Sequence, residues 1–167
     1  VAIATAMTLT AESLLTLEST QGSITAAGTV TLVSGTGIVI HDGFDSSSTG
    51  DIVINSDADA NSGSDSTSDG AFTVTTGKTL DSNDNHVTIT AYDIDLDGAM
   101  TSGTTGVITM HGAFATQTIG LGATPLNMEL DVNELQRITN TAGLKIGSST
   151  SGSLTVGTVS DTNSANR

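Results

Sequence analysis

Two acidic stretches and three histidines are the residues of this chain whose types and spacing suit chemistry. Asp93-Ile-Asp-Leu-Asp97 before Gly98 opens like the calcium loop of an EF-hand. That loop needs a bidentate acid at its twelfth position, and Thr104 stands there. Ile94 and Leu96 between the acids are large and apolar, so the segment reads as a strand with three carboxylates on its outer face. Asp57, Asp59, Asn61 and Asp65 are the better Ca2+ candidates, being alternate hard-oxygen ligands on a glycine-containing loop. Ser62 and Ser68 occupy the positions where an EF-hand carries Gly and Glu, which makes a solvated acidic loop the competing reading.

Carboxylates on neighbouring strands also suit general acid and base work on a polysaccharide. Asp81, Asp84, Asp93 and Asp95 are the candidates, but nothing in their spacing marks them out. With 1 Tyr and 4 Lys plus Arg, there is little to stack against a sugar ring or to hold an acidic one. No catalytic residue is therefore assigned. His41 and His111 each follow an apolar strand beside a glycine, which reads as a repeated corner. About three strand spacings, near 14 Å, would separate them, too far for one metal ion. His86 has no evident partner.

The elements that must position these residues are short apolar alternations punctuated by glycine. Gly28-Thr-Val-Thr-Leu32, Gly50-Asp-Ile-Val-Ile54, Gly70-Ala-Phe-Thr-Val74, Gly106-Val-Ile-Thr-Met110 and Gly152-Ser-Leu-Thr-Val156 are examples. Period-two spacing turns the apolar set inward and the Thr, Ser and Asp set outward. Each unit has too few inward residues to make a core alone, so many must stack. An all-β parallel β-helix, a solenoid wound right-handedly by the crossover rule, is the expected fold. Its inward residues should be Ile24, Val30, Leu32, Ile38, Ile40, Ile52, Ile54, Phe72, Val74, Ile89, Ile94, Leu96, Ile108, Met110, Leu144, Ile146, Leu154 and Val156. An antiparallel β-sandwich is the alternative, because short strands at this spacing suit it too.

With 3 Phe, 1 Tyr and no Trp, the core must be thin and aliphatic. A net charge of −14 argues against nucleic acid and against an anionic membrane surface as partners. No stretch approaches the roughly 18 apolar residues that membrane insertion requires. Cysteine is absent, so there is no disulfide framework and no thiolate metal site. Residues 1–167 read as one continuous solenoid, expected to be a segment of a longer chain. Two degenerate super-repeats cover about 7–80 and 87–157: Met7-Thr-Leu-Thr-Ala11 echoes Val87-Thr-Ile-Thr-Ala91, Ser23–Val30 echoes Asp93–Met100, and Gly37–Phe44 echoes Gly106–Phe114. Residues 55–69, almost without large apolar side chains, should protrude as a loop. Pro125 marks a break at 120–126, and only Asn133–Thr139 has helical character.

Val87-Thr-Ile-Thr-Ala-Tyr-Asp-Ile-Asp-Leu-Asp-Gly98 with Thr101-Ser-Gly-Thr-Thr-Gly-Val-Ile-Thr-Met110 resembles the repeats of very large secreted β-strand-repeat proteins. So does Glu134-Leu-Gln-Arg-Ile-Thr139 with Gly143-Leu-Lys-Ile-Gly147 and Gly152-Ser-Leu-Thr-Val156. These are similar to filamentous-haemagglutinin-type and autotransporter-type surface proteins. The resemblance implies an extracellular, cell-surface, non-catalytic shaft with a role in adhesion or matrix building. The expected partners are copies or neighbouring repeats of itself, joined end to end in a filament. The alternatives are a surface glycan- or calcium-binding module and, after that, a β-helical polysaccharide-acting enzyme.

Overall fold

The computed structural model describes residues 1–46, 49–60 and 70–163. The chain begins with β1 (Ala2–Ile3), β2 (Met7–Ala11), β3 (Leu14–Leu17), β4 (Ile24–Ala26), β5 (Val30–Ser34), β6 (Gly37–Ile40) and β7 (Phe44–Ser46). It continues as β8 (Ile52–Asn55), β9 (Ala71–Val74), β10 (Thr79–Asp81), β11 (Val87–Ala91), β12 (Ile94–Leu96), β13 (Ala99–Gly103) and β14 (Ile108–Gly112). Next come β15 (Ile119–Gly122), β16 (Met128–Leu130) and α1 (Val132–Gln136). The last elements are β17 (Ile138–Asn140), β18 (Leu144–Ile146), β19 (Leu154–Gly157) and a 3-10 turn at Asp161–Asn163.

The first sheet is ordered β1-β4-β7-β10-β13-β17, the second β2-β5-β8-β11-β14-β18, the third β3-β6-β9-β12 and the fourth β16-β15-β19. Every ladder among the described residues runs parallel. The fold is thus all-β with parallel sheets and no closed barrel, compatible with a parallel β-helix. The antiparallel sandwich is overturned, because the ladders among the described residues are parallel and, β15 and β16 apart, consecutive strands join different sheets. Bonded residues on successive turns of the chain are typically 20 to 23 apart. Two insertions stretch that interval to 34 and 38.

Stacking follows from the alternation. Met7, Val30, Ile52, Val87, Ile108 and Leu144 form one column of the second sheet, and Leu9, Leu32, Ile54, Ile89, Met110 and Ile146 form the next. A slip by one residue would turn each column to solvent, so the pattern specifies the register. The expected inward residues from Ile24 to Met110 are all buried. Leu144 and Ile146 are half-buried, whereas Leu154 and Val156 are 49% and 59% exposed. The reason is position: β18 and β19 are edge strands with a neighbour on one side alone. The core also takes Phe44, Leu80, Met100, Ile119, Met128 and Ile138, which are not among the expected inward residues.

The sequence echo and the spatial repeat do not coincide throughout. Met7–Ala11 and Val87–Ala91 share the second sheet, but Ile24 lies in the first sheet and its counterpart Ile94 in the third. Likewise β6 belongs to the third sheet and its counterpart β14 to the second. The expected break at 120–126 is narrower than anticipated, since Gly120–Gly122 belong to β15 and the chain leaves the sheet after them.

Corners hold the turns together. Ser34, Ser56, Ser82 and Ser102 are buried near strand ends, and each hydroxyl donates to a carbonyl across its corner. Their acceptors are Gly37 (2.6 Å), Gly70 (2.7 Å), Asn85 (2.6 Å) and Gly106 (2.6 Å). Asn140 extends the series, its Nδ2 donating to Ser102 Oγ at 2.5 Å and its Oδ1 accepting the Gly143 N–H. These bonds satisfy backbone groups that the ladders cannot reach.

Gly50 sits where two corners touch: a Cβ there would lie 2.1 Å from Thr29 N and 2.4 Å from Gly28 C. Backbone cannot yield as a flexible side chain does. Gly50→Ala should therefore destabilise the chain by about 2 kcal/mol in urea unfolding, a typical cost of overpacking. Gly43→Ala, whose methyl would meet Ser23 Cβ at 3.4 Å, should be nearly neutral in the same measurement.

Candidate functional site

The acidic strand is built as its alternation implies. Ile94 and Leu96 of β12 are buried, Asp93 is half-buried and Asp95 and Asp97 are exposed. The second insertion then brings new carboxylates to this strand. Buried Gln117 anchors its start, with Nε2 donating to the Tyr92 carbonyl at 2.6 Å and Oε1 accepting the Ala113 N–H at 2.8 Å. After β15 the chain turns back through 123–127, and β16 pairs parallel with β15, matching Ile119 to Met128 and Leu121 to Leu130.

Asp131 then caps α1, accepting from the N–H groups of Asn133 (2.6 Å) and Glu134 (2.8 Å). Glu134 completes the capping box by accepting the Asp131 N–H at 2.8 Å. The same carboxyl reaches β12, where Glu134 Oε1 accepts the Leu96 N–H at 3.0 Å. Asp93 reaches in the opposite sense and accepts the Glu129 N–H of β16 at 2.8 Å. Arg137 donates to the Leu96 carbonyl and lies 3.7 Å from Asp97.

Asp93, Ile94, Asp95, Glu129, Asp131 and Glu134 line an open cavity of about 250 Å³. Burial lifts the Glu134 carboxyl to about 7 from an ordinary 4.5; two N–H donors oppose the rise, and the charges of Asp131 and Asp93 add to it. Burial also raises Asp93, and it raises Asp95 with help from the Asp97 charge. Asp131 moves the other way: burial opposes, but the N–H of Glu134 and the bonds from Asn133 hold it below its usual value. Neighbouring carboxyls tuned in opposite directions are the raw material of acid–base chemistry. Here, however, both Glu134 oxygens already accept backbone N–H groups, and no aromatic or basic side chain lines the cavity. A second cavity of about 240 Å³ alongside is lined by Lys78, Asp97 and Arg137. Lys78 is paired there with Asp42 at 2.6 Å.

Of the four carboxylates considered for catalysis, Asp93 and Asp95 come together and the other two do not. Asp81 bonds the Asn83 N–H at 2.8 Å. Asp84 stands at a corner, where the Thr104 N–H, the Thr105 N–H and the Thr104 hydroxyl hold it below its ordinary range. Glu129, Asp131 and Glu134 were not anticipated, although Asp131-Val-Asn-Glu134 is a readable capping-box signature.

Asp57 of the expected calcium loop is buried, 7% exposed, and its N–H donates to Asn55 Oδ1 at 3.3 Å. Asp59 lies close to Gly35, while Asn61 and Asp65 fall outside the described residues. Among the described residues no group of three or more His, Asp or Glu side chains is arranged to hold a metal ion. The histidines stand apart: His86 Nδ1 accepts the Val107 N–H, His111 contacts Thr90 Oγ1, and His41 follows β6. Among the described residues, no helix is long and apolar enough to cross a membrane. Comparison with known proteins finds no family model, no curated protein and no solved structure that matches this chain.

Glu134 sets a sign for the stability of the whole chain. Between an unfolded value of 4.5 and a folded value of about 7, the native state binds more protons than the unfolded state. This group's contribution therefore falls as pH rises through that interval and levels off above it. Denaturant midpoints measured across the interval should decline in the wild type, and Glu134→Gln should flatten that decline.

Proposed function

We propose that this chain is a stretch of a parallel β-helical shaft, right-handed as the crossover rule requires, whose role is structural and whose turns continue axially into further turns. The shaft belongs to an extracellular or cell-surface fibre or adhesin, as the resemblance of its repeats implies. The observation that supports this best is the chemistry of the two outermost turns. Met7 and Leu9 at one edge and Leu144 and Ile146 at the other occupy the same two columns of the second sheet. Met7 is 39% exposed, while Leu9, Leu144 and Ile146 are half-buried. A further turn stacked on either edge would bury aliphatic side chains on their own kind and satisfy the free edge backbone. Such head-to-tail contacts do not close, so they propagate a filament.

Charge favours the same direction of growth. A chain of net charge −14 repels a parallel neighbour at low salt, which disfavours lateral bundling relative to axial contact. The next turn can belong to the same polypeptide or to another copy; the contact is chemically the same.

A polysaccharide-acting enzyme is the second reading, favoured by the carboxyl cavity with Glu134 and Asp131 shifted in opposite directions. The absence of any aromatic or basic side chain from its lining weighs against it. Electron microscopy of the concentrated chain should reveal rods with subunits repeating along the strand-stacking axis. A monomer at every concentration, with both outer turns covered by its own residues, would defeat the axial reading. Glycan hydrolysis that disappears in Asp93→Asn would replace the structural role with the enzymatic one.

A further inference from the structure

The third and fourth sheets meet at a joint unlike the others among the described residues. β12 ends the third sheet and β16 begins the fourth, and no ladder joins them. Side chains bridge the gap instead: Glu134 to the Leu96 N–H, Asp93 to the Glu129 N–H, and Arg137 to the Leu96 carbonyl. Elsewhere successive turns are joined by backbone bonds, whose strength does not depend on pH. Here, two of the three bridges end on carboxyl groups.

The surroundings of Glu134 are mostly of its own sign. β12 presents Asp93, Asp95 and Asp97, β16 presents Glu129, and the cap of α1 presents Asp131. Arg137 is the cation that bonds the joint, and Lys78 lines the adjoining cavity with Asp97 while paired to Asp42. Asp161 is the titratable residue of the 3-10 turn packed on α1, and β15 and β17 contribute none.

We propose that this joint is a pH-operated latch: the β16–α1 segment is docked against β12 in mildly acidic solution and loosens from it on the alkaline side of neutrality, while the backbone ladders on either side stay closed. The direction follows from the chemistry of a half-buried carboxyl. Protonated, Glu134 adds no charge to the crowd of carboxylates. Ionised, it must stay desolvated beside Asp93 and Asp131 or move out to water, and moving out releases the Leu96 and Asp131 N–H groups together. Its titration near 7 places the change in the physiological range. Opening would bare the Ile94 and Leu96 backbone of β12, an unpaired strand edge in the middle of the shaft.

Amide hydrogen exchange on the whole chain, converted to protection factors at about pH 5.5 and about pH 8.5, tests this. The amides of Leu96, Glu129 and Asp131 should lose about tenfold or more in protection at the higher pH, as expected for a carboxyl lifted from 4.5 to about 7. Those of Ile54 and Ile89 should fall by no more than the drop in overall stability, a smaller factor than at the joint. Unchanged protection at the joint, or a loss shared equally by Ile54 and Ile89, would overturn the latch. Glu134→Gln should keep the joint equally protected at both pH values, and a full pH response in that variant would remove Glu134 from the device. Should the variant not fold, the 13C titration of the wild-type Glu134 carboxyl decides. A midpoint near neutrality that coincides with the loss of protection supports the latch, and a midpoint in the ordinary carboxylate range refutes it.

Discussion

Parallel stacking in fixed register is the constraint from which the rest of this molecule follows. A strand of three to five residues cannot satisfy its backbone alone; its N–H and C=O groups must meet those of the turn before and the turn after. Once they do, neighbouring turns are about 4.8 Å apart, and every side chain lies directly on another. Ile52 must tolerate Val30 on one side and Val87 on the other. Phe72 must fit between Ile38 and Ile94. Aliphatic columns meet that demand with little aromatic area, which is why a chain with so few rings still buries a continuous core.

The same spacing dictates the corners. Where the chain bends between sheets the ladders lapse, yet the turns remain as close as before. Glycine fills the tightest positions because any Cβ would strike backbone, as at Gly50 and at Gly106 against Asn85 O. Buried serines fill the adjacent positions because a hydroxyl is small enough to stack and can bond the stranded carbonyl. Asn85 combines the two roles: its side chain accepts the Gly50 N–H at 2.9 Å and donates to the Ser82 carbonyl at 2.6 Å.

Insertions test how far the register resists disturbance. The connection between β8 and β9 is longer than in the turns before it, and much of the loop expected at 55–69 lies outside the described residues, yet the ladders on both sides keep their register. Ser56 Oγ bonds Gly70 O at 2.7 Å, so the two ends of the connection are tied to each other. The second insertion is less neutral, because it returns with a strand of its own. β16 occupies the place where β15 would otherwise pair with β12. The backbone groups so displaced are met by Asp93, Glu134 and Arg137. Most of the unusual electrostatics of the molecule arises at that substitution of side chains for a ladder.

Much of the architecture was legible in the sequence because it is local. Period-two alternation decides which residues face inward, and it does so for Val30 and Leu32 or Ile94 and Leu96 without reference to any other part of the chain. Glycine before several of the alternations, Gly28 and Gly50 among them, marks a corner, and the absence of acid at the twelfth position rules out the EF-hand at Asp93. The carboxyl cavity was not legible. Asp93 and Glu134 stand 41 positions apart by number, and only the return of β16 beside β15 brings them to one joint. Residue similarity does not decide the sheet: Ile24 and Ile94 sit in alike surroundings by sequence and both face inward, but different turn lengths deliver them to different sheets. Pattern determines the inside and outside of a strand, because that choice is made within a few residues. Which strand lies on which, and therefore which charges meet, is decided by the sum of all the turn lengths between them, and only the folded stack carries out that sum.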